Sequence, residues 1–323
     1  MDGAQTSKIN ANLTGDLNLA EAVKLPENGA LCFMGTTKVG AFDLSPEVAK
    51  SMLAAPLNPN GRPNSDVVRP WVNGLDVTGR PRGMFIIDFG VNMAENEAAL
   101  YEIPFEYARK HVFPERKPTN RDLADKPWWL HARPRPEMRD RLTGLTRFLV
   151  TPRVAKYRPF VWVNANVIPD SRLFAFARED DYFFGILHSR NHEVWSIATC
   201  SWHGVGNDPT YNASSCFETF PFPWPPGHEP KDSPLVEAIA EAARELVEKR
   251  DAWLNPPNAS ADELKKRTLT NLYNARPAWL ADAHRKLDEA VFAAYGWPST
   301  LTDAELLERL LALNHQRAST QNA

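Results

Sequence analysis

The sequence predicts an α+β domain, a mixed sheet with long loops, followed by a small all-α helical bundle. Three observations carry that expectation. From about Gly29 to Phe222, short β-rich runs alternate with turn signals; prolines cluster in FPFPWPPGHEPKDSP (residues 220–234); and beyond that cluster apolar residues recur at helical spacing to the end of the chain. The prolines forbid a continuous helix or central strand. We therefore divide the chain into an N-terminal segment (residues 1–28), a mixed α/β domain (29–225) and a helical domain (226–323).

Taken in order, the expected strands are Ala30–Met34, Gly83–Phe89, Arg147–Val150, Phe160–Asn164, Arg172–Ala177 and Tyr182–Leu187, each rich in Phe, Ile, Val or Trp and bounded by Gly, Pro, Asp or Asn. Their weak alternation implies partial burial. In the helical part, Pro234 fits a first helical position, and Leu235, Ile239, Ala242 and Leu246 form one stripe. Three more helices are expected. Ser260 with Glu263 and Thr302 with Glu305 fit capping boxes, and the stripe Trp279, Ala283, Leu287, Ala290, Val291, Ala294 stops at Gly296 and Pro298.

Composition narrows the function. Of 323 residues, 43% are hydrophobic and 24% charged, and no run approaches the ~20 apolar residues of a membrane span. The first residues lack a basic start with an apolar run, so we expect a cytoplasmic protein with no membrane partner. Cys32, Cys200 and Cys216 form no CxxC pair, which fits reduced thiols. The net charge of −3 hides a gradient: residues 105–160 hold 14 Lys+Arg against 6 Asp+Glu, while both flanks are acidic. Such a basic segment suits a phosphate-bearing partner, since Lys and Arg displace its counterions; a solvated charged face is the alternative.

Motifs with catalytic associations sit in unsuitable contexts. Asn255-Pro256-Pro257 resembles the base-holding loop of amino-methyltransferases, but its fourth residue is Asn258, it lies between expected helices, and no Gly-rich cofactor turn precedes it. We read it as a helix-breaking turn. His188, Asn191 and His192 suggest metal ligands or a nuclease fragment, yet no third ligand stands at a suitable spacing. The same stretch reads as a strand leading into a helix whose first turn presents Ser189, Arg190 and His192 to an anion, or as structural polar residues. Asp88, Glu95 and Glu97 lack the lysine a metal-dependent nuclease needs. No catalytic or metal-binding residue is assigned.

That leaves the arginine-rich, aromatic-studded stretch from Pro127 to Phe160. Arg133, Arg135, Arg153, Lys156 and Arg158 sit beside prolines or at strand ends, where loops can carry them to a DNA backbone or to guanine edges. Lys38, Trp202 and His203 complete the candidate DNA-binding set. Arg139, Arg141 and Arg147 are expected on a helix facing solvent, and Trp128 and Trp129 in the core.

On these residues a resemblance enters. ENGALCFMGTTKVGAFDL (27–44), RPWVNGLDVTGRPRGMFIIDFG (69–90), the WWLHARPRPEMR to VAKYRPFVWV block, ILHSRNHEVW (186–195), CFETFPFP (216–223) and LTNLYNARPAWLADAHRKLDEAVFAAYGWP (269–298) together resemble the MmeI-like (type IIL) restriction-modification enzymes and related class I adenine-specific DNA methyltransferases. The resemblance implies that residues 29–225 are a DNA target recognition domain and 226–323 a C-terminal helical domain, with residues 1–28 as a linker from a missing catalytic domain and double-stranded DNA as partner. It further implies a catalytic domain or subunit, absent from this chain, that transfers a methyl group from S-adenosylmethionine to adenine N6. The chain itself is expected to hold no cofactor and to be inactive alone. The alternatives are an interaction subunit docking a separate methyltransferase or nuclease polypeptide, and a stand-alone nuclease.

Overall fold

The computed structural model describes residues 17–116, 126–203 and 208–321. Along the chain run β1 (Cys32–Met34), β2 (Asp43–Leu44), α1 (Pro46–Leu53), β3 (Val68–Val72), α2 (Gly74–Thr78), β4 (Phe85–Ile87), α3 (Glu95–Ala98), α4 (Glu102–His111), α5 (Pro136–Leu142), β5 (Arg147–Pro152), β6 (Val161–Asn164), β7 (Ile168–Pro169), β8 (Leu173–Phe176), α6 (Asp181–His188), α7 (Arg190–Ala198), β9 (Ser201–His203) and β10 (Asp208–Thr210). Five helices follow: α8 (Pro234–Leu254), α9 (Ala261–Lys266), α10 (Leu269–Ala275), α11 (Ala278–Tyr295) and α12 (Asp303–Gln321). The architecture is α+β with a helical C-terminal region, as the sequence predicts.

One antiparallel sheet has the order β1-β8-β5-β6; a second, β2-β4-β3-β7, is mixed, because β3 and β7 pair in parallel with Trp71 opposite Ile168. The first sheet is buried on both faces, and its side chains divide with the period of two that a pleat imposes. Phe148, Val150, Leu173 and Ala175 face a core with Val77, Met138 and Leu142. Leu149, Phe174 and Phe176 face the larger core, built with α6, α8 and α11. Two-sided burial explains why these strands alternate so weakly in sequence. A third core gathers Phe42, Trp71, Ile86, Phe89 and Phe105 around the second sheet. Each such buried phenylalanine contributes about 1.5–3 kcal/mol.

The segment Tyr182–Leu187, expected as a strand, is helix α6. Asp180 caps it, its side chain accepting a hydrogen bond from the Phe183 amide at 2.9 Å. The helix is buried on every side, which removes the amphipathic signature that separates helix from strand. Gly185 lets α8 approach: a Cβ there would lie 2.6 Å from Ile239 Cγ2. Consequently the larger core runs without interruption from the sheet into α8, α11 and α12.

The helical region carries five helices where four are expected, α9 and α10 being short. Residues 17–28 pack against both the 216–220 segment and α12: Leu25 is buried, Asn28 Nδ2 donates to the Phe217 and Phe220 carbonyls at 3.0 and 2.8 Å, and Val23 and Asn314 exchange hydrogen bonds of 2.9 and 2.7 Å. Among the described residues no helix is long and apolar enough to cross a membrane.

Candidate nucleic-acid interface

Five chain segments meet in one rim, joined by main-chain hydrogen bonds. Behind β1, the Thr36 amide donates to the Pro169 carbonyl (2.8 Å) and the Ser171 amide returns to Thr36 (2.9 Å). On its other side Thr37 and Arg133 exchange bonds of 3.1 and 3.0 Å. The Arg153 amide then donates to the Arg172 carbonyl (2.8 Å), and the Tyr211 amide to the Arg153 carbonyl (2.7 Å). Gly35 makes the crossing possible, since a Cβ there would stand 2.2 Å from the Asp170 carbonyl oxygen.

Cations crowd this rim. Arg133 is exposed and forms no ion pair among the described residues. Arg135 adopts a left-handed backbone (φ 61°) ahead of Pro136, and its Nε donates to the Gly35 carbonyl at 3.1 Å. Burial lowers its pKa, and the charges of Arg133 and Arg153 lower it further. Arg153 is half-buried, with an Nε that finds no acceptor. Arg172 is exposed, its amide fixed by Asp170 Oδ1 at 2.8 Å. Sequence reading missed Arg172: it opens an expected strand, but it lies outside the arginine-rich stretch and has no basic neighbour. Lys38 belongs to the rim but is ion-paired with Asp43. Burial raises the Asp170 carboxyl above its ordinary range in spite of Arg172 and Lys38 nearby.

Beside Arg153, the ribbon β9–β10 attaches through the bridge Val154–Thr210. Trp202 on this ribbon is 50% exposed. His203 ends β9, and its side chain lies outside the described residues. Lys156 is exposed at the edge, donating to Asn274 Oδ1 at 2.7 Å.

Four expected contact residues are engaged elsewhere. Arg158 is buried, donating to the Pro152 and Pro209 carbonyls at 2.6 and 3.1 Å, with its guanidinium 5.1 Å from the Tyr211 ring centroid. Ser189 is fully buried, its hydroxyl donating to the Ile186 carbonyl at 2.8 Å. His192 is fully buried between the Leu187 carbonyl (2.8 Å) and the Tyr211 hydroxyl (3.0 Å), and burial pushes its pKa down to about 3. It is neutral, so Nδ1 donates to the carbonyl and Nε2 accepts from the tyrosine. Arg190 grips Asp303 at 2.6 Å and the Leu301 carbonyl at 2.8 Å. The first turn of α7 thus ties the core to the helical region.

Other arginines of the basic stretch are likewise spent internally. Arg139 binds the buried Asp88. Arg147 lies on β5, pairs with Asp181 at 2.8 Å and stacks 3.9 Å over Trp162. Trp128 and Trp129 pack against the second-sheet core. Asn255 ends α8 with its Oδ1 accepting from Arg80 at 2.9 Å, a helix-terminal turn as the sequence suggests. Among the described residues no group of three or more His, Cys, Asp or Glu could hold a metal ion.

Comparison with known proteins places this arrangement. A family model described as the MmeI target recognition domain matches residues 57–224. The chain belongs to this family. A second model, the MmeI C-terminal domain, matches residues 231–321, so the boundary between the two matches falls within the proline-rich segment. DNA methyltransferase A of Bacillus subtilis (strain 168) is 30% identical over 203 residues, 61% of this chain and 20% of that protein. A solved structure of the Type IIL restriction-modification enzyme MmeI in complex with DNA aligns with 97% of this chain at a TM-score of 0.71 and 20% identity, a likeness of fold. The chain spans 39% of that structure and a fifth of the Bacillus protein.

Proposed function

We propose that this MmeI-type recognition domain reads double-stranded DNA as the specificity part of an S-adenosylmethionine-dependent N6-adenine methyltransferase in a restriction-modification or phage-defence system. The single observation that carries the reading is the crowding of Arg133, Arg135, Arg153 and Arg172 on one rim, with no carboxylate paired to any of their guanidinium groups among the described residues. Like charges so placed repel one another, and an array of phosphates relieves that repulsion while releasing counterions. The arginine fork also matches the acceptor pair of guanine.

Methyl transfer is assigned to a catalytic domain or subunit acting with this chain. Two features of this chain support that assignment: the sequence has no Gly-rich cofactor turn, and Asn255, the first residue of its one base-holding-like motif, has its side-chain oxygen taken by Arg80 at a helix end. Fluorescence anisotropy with a mixed-sequence duplex tests the reading. Binding that weakens steeply with salt is expected; absence of salt-dependent binding, even with the catalytic partner added, would remove it.

A further inference from the structure

The rim holds an exposed aromatic group that electrostatics does not explain. Trp202 is, with Phe113, one of two Phe or Trp side chains at least half exposed among the described residues. Phe113 lies edge-on against Trp128, with ring centroids 5.2 Å apart, whereas Trp202 makes no ring contact and no side-chain hydrogen bond among the described residues. Leaving an indole in water forgoes burial that a structural tryptophan would make.

Its backbone is hydrogen-bonded into a two-stranded ribbon. β9 and β10 pair as Ser201–Thr210, Trp202–Pro209 and His203–Asp208, a ribbon belonging to neither four-stranded sheet. Asn212 Nδ2 donates to Ser201 Oγ at 3.0 Å at its foot, and the Tyr211 amide binds the Arg153 carbonyl. The bridged residue Val154 is itself 41% exposed. An anchored two-stranded ribbon bearing an indole, beside an unpaired arginine, has the form of an apolar wedge flanked by a phosphate contact. An apolar side chain presented on such a support can enter a base step and unstack it.

We infer that Trp202 stacks on a nucleobase of the bound duplex, acting as a wedge that positions DNA rather than as a charge contact. The inference rests on the DNA-reading proposal above. Every base has a π face, so the contact is sequence-tolerant and complements the arginines.

The test uses a mixed-sequence duplex with 5-iodouracil replacing thymine, irradiated in the presence of the full chain, with the crosslinked peptide mapped by mass spectrometry. Crosslinks are expected at Trp202. Trp202→Ala should abolish them and weaken binding about tenfold while leaving the salt slope unchanged; Trp202→Phe should retain them. Crosslinking unchanged in Trp202→Ala, or affinity unaltered by it, would overturn the wedge while leaving DNA binding intact. Failure of the unsubstituted chain to bind the duplex would overturn the DNA reading itself, and the wedge with it.

Discussion

Arg139 holds Asp88 with both arms of its guanidinium, NH1 on Oδ2 at 2.8 Å and NH2 on Oδ1 at 3.0 Å. Asp88 is buried at the end of β4, and Arg139 reaches it from α5, so this pair fastens the second sheet to the helix that follows the rim. Burial alone would raise the Asp88 pKa; the charges of His131 and Arg139 hold it below its ordinary value.

Arg139→Ala leaves the buried carboxylate with only His131 and the Gly90 amide beside it, and is expected to cost about 3–5 kcal/mol in denaturant unfolding. The depressed pKa fixes the pH sign: stability from the pair is present above the unfolded value near ~4 and is lost as pH falls through the folded one. Unfolding free energy equal to that of the unsubstituted protein would refute the role.

Asp288 on α11 accepts a hydrogen bond from the Arg190 amide at 2.7 Å, at the start of α7. Burial raises its pKa to about 7, and the Glu193 charge adds to that effect. A carboxyl raised on folding contributes stability that is complete below the unfolded pKa and lost as pH rises through 7. Asp288→Asn keeps the acceptor without the charge. Its melting temperature should exceed that of the unsubstituted protein at pH 8, with the difference fading toward pH 5; a constant offset would contradict this.

Gly35→Ala forces a methyl group against the Asp170 carbonyl. The 169–172 segment must shift, at an expected cost of about 1–3 kcal/mol. Because Arg172 rides on that segment, DNA affinity should fall as well, and loss of stability with binding untouched would separate the crossing from the rim.

Charge removal distinguishes rim from core. Arg153→Ala and Arg172→Ala should each lower the slope of log affinity against log salt by about 1. Arg158→Met strips donors from two buried carbonyls, and should destabilise the fold by about 1–3 kcal/mol with the slope unchanged. An altered slope for Arg158→Met would return that residue to the interface.

The helical region was the most legible part, because its signals are local. Ser260 and Glu263 form their reciprocal cap at 2.8 and 3.2 Å, Thr302 and Glu305 theirs at 2.8 and 3.3 Å, and Gly296 takes φ 68° after α11. Helix α6 was misread because DYFFGILH is apolar all round, and only tertiary burial makes it a helix. Strands β2, β3, β7, β9 and β10 were missed: β2 and β7 are two residues long, β9 and β10 three, and β3 and β10 contain Pro70 and Pro209. At the interface, local charge overstated what faces outward. Arg116, for example, donates to three main-chain carbonyls, those of Lys38, Val39 and Leu130. Whether an arginine meets a carbonyl of its own chain depends on folded geometry that a count of charges does not contain.

The rim segments cohere through amide and carbonyl groups, which every residue except proline supplies in the same form. Scaffold and vocabulary are therefore separable. The side chains displayed at positions 133, 153 and 172 can be replaced singly while the frame that presents them stays in register, so under the proposed DNA reading a change of target need not cost the fold.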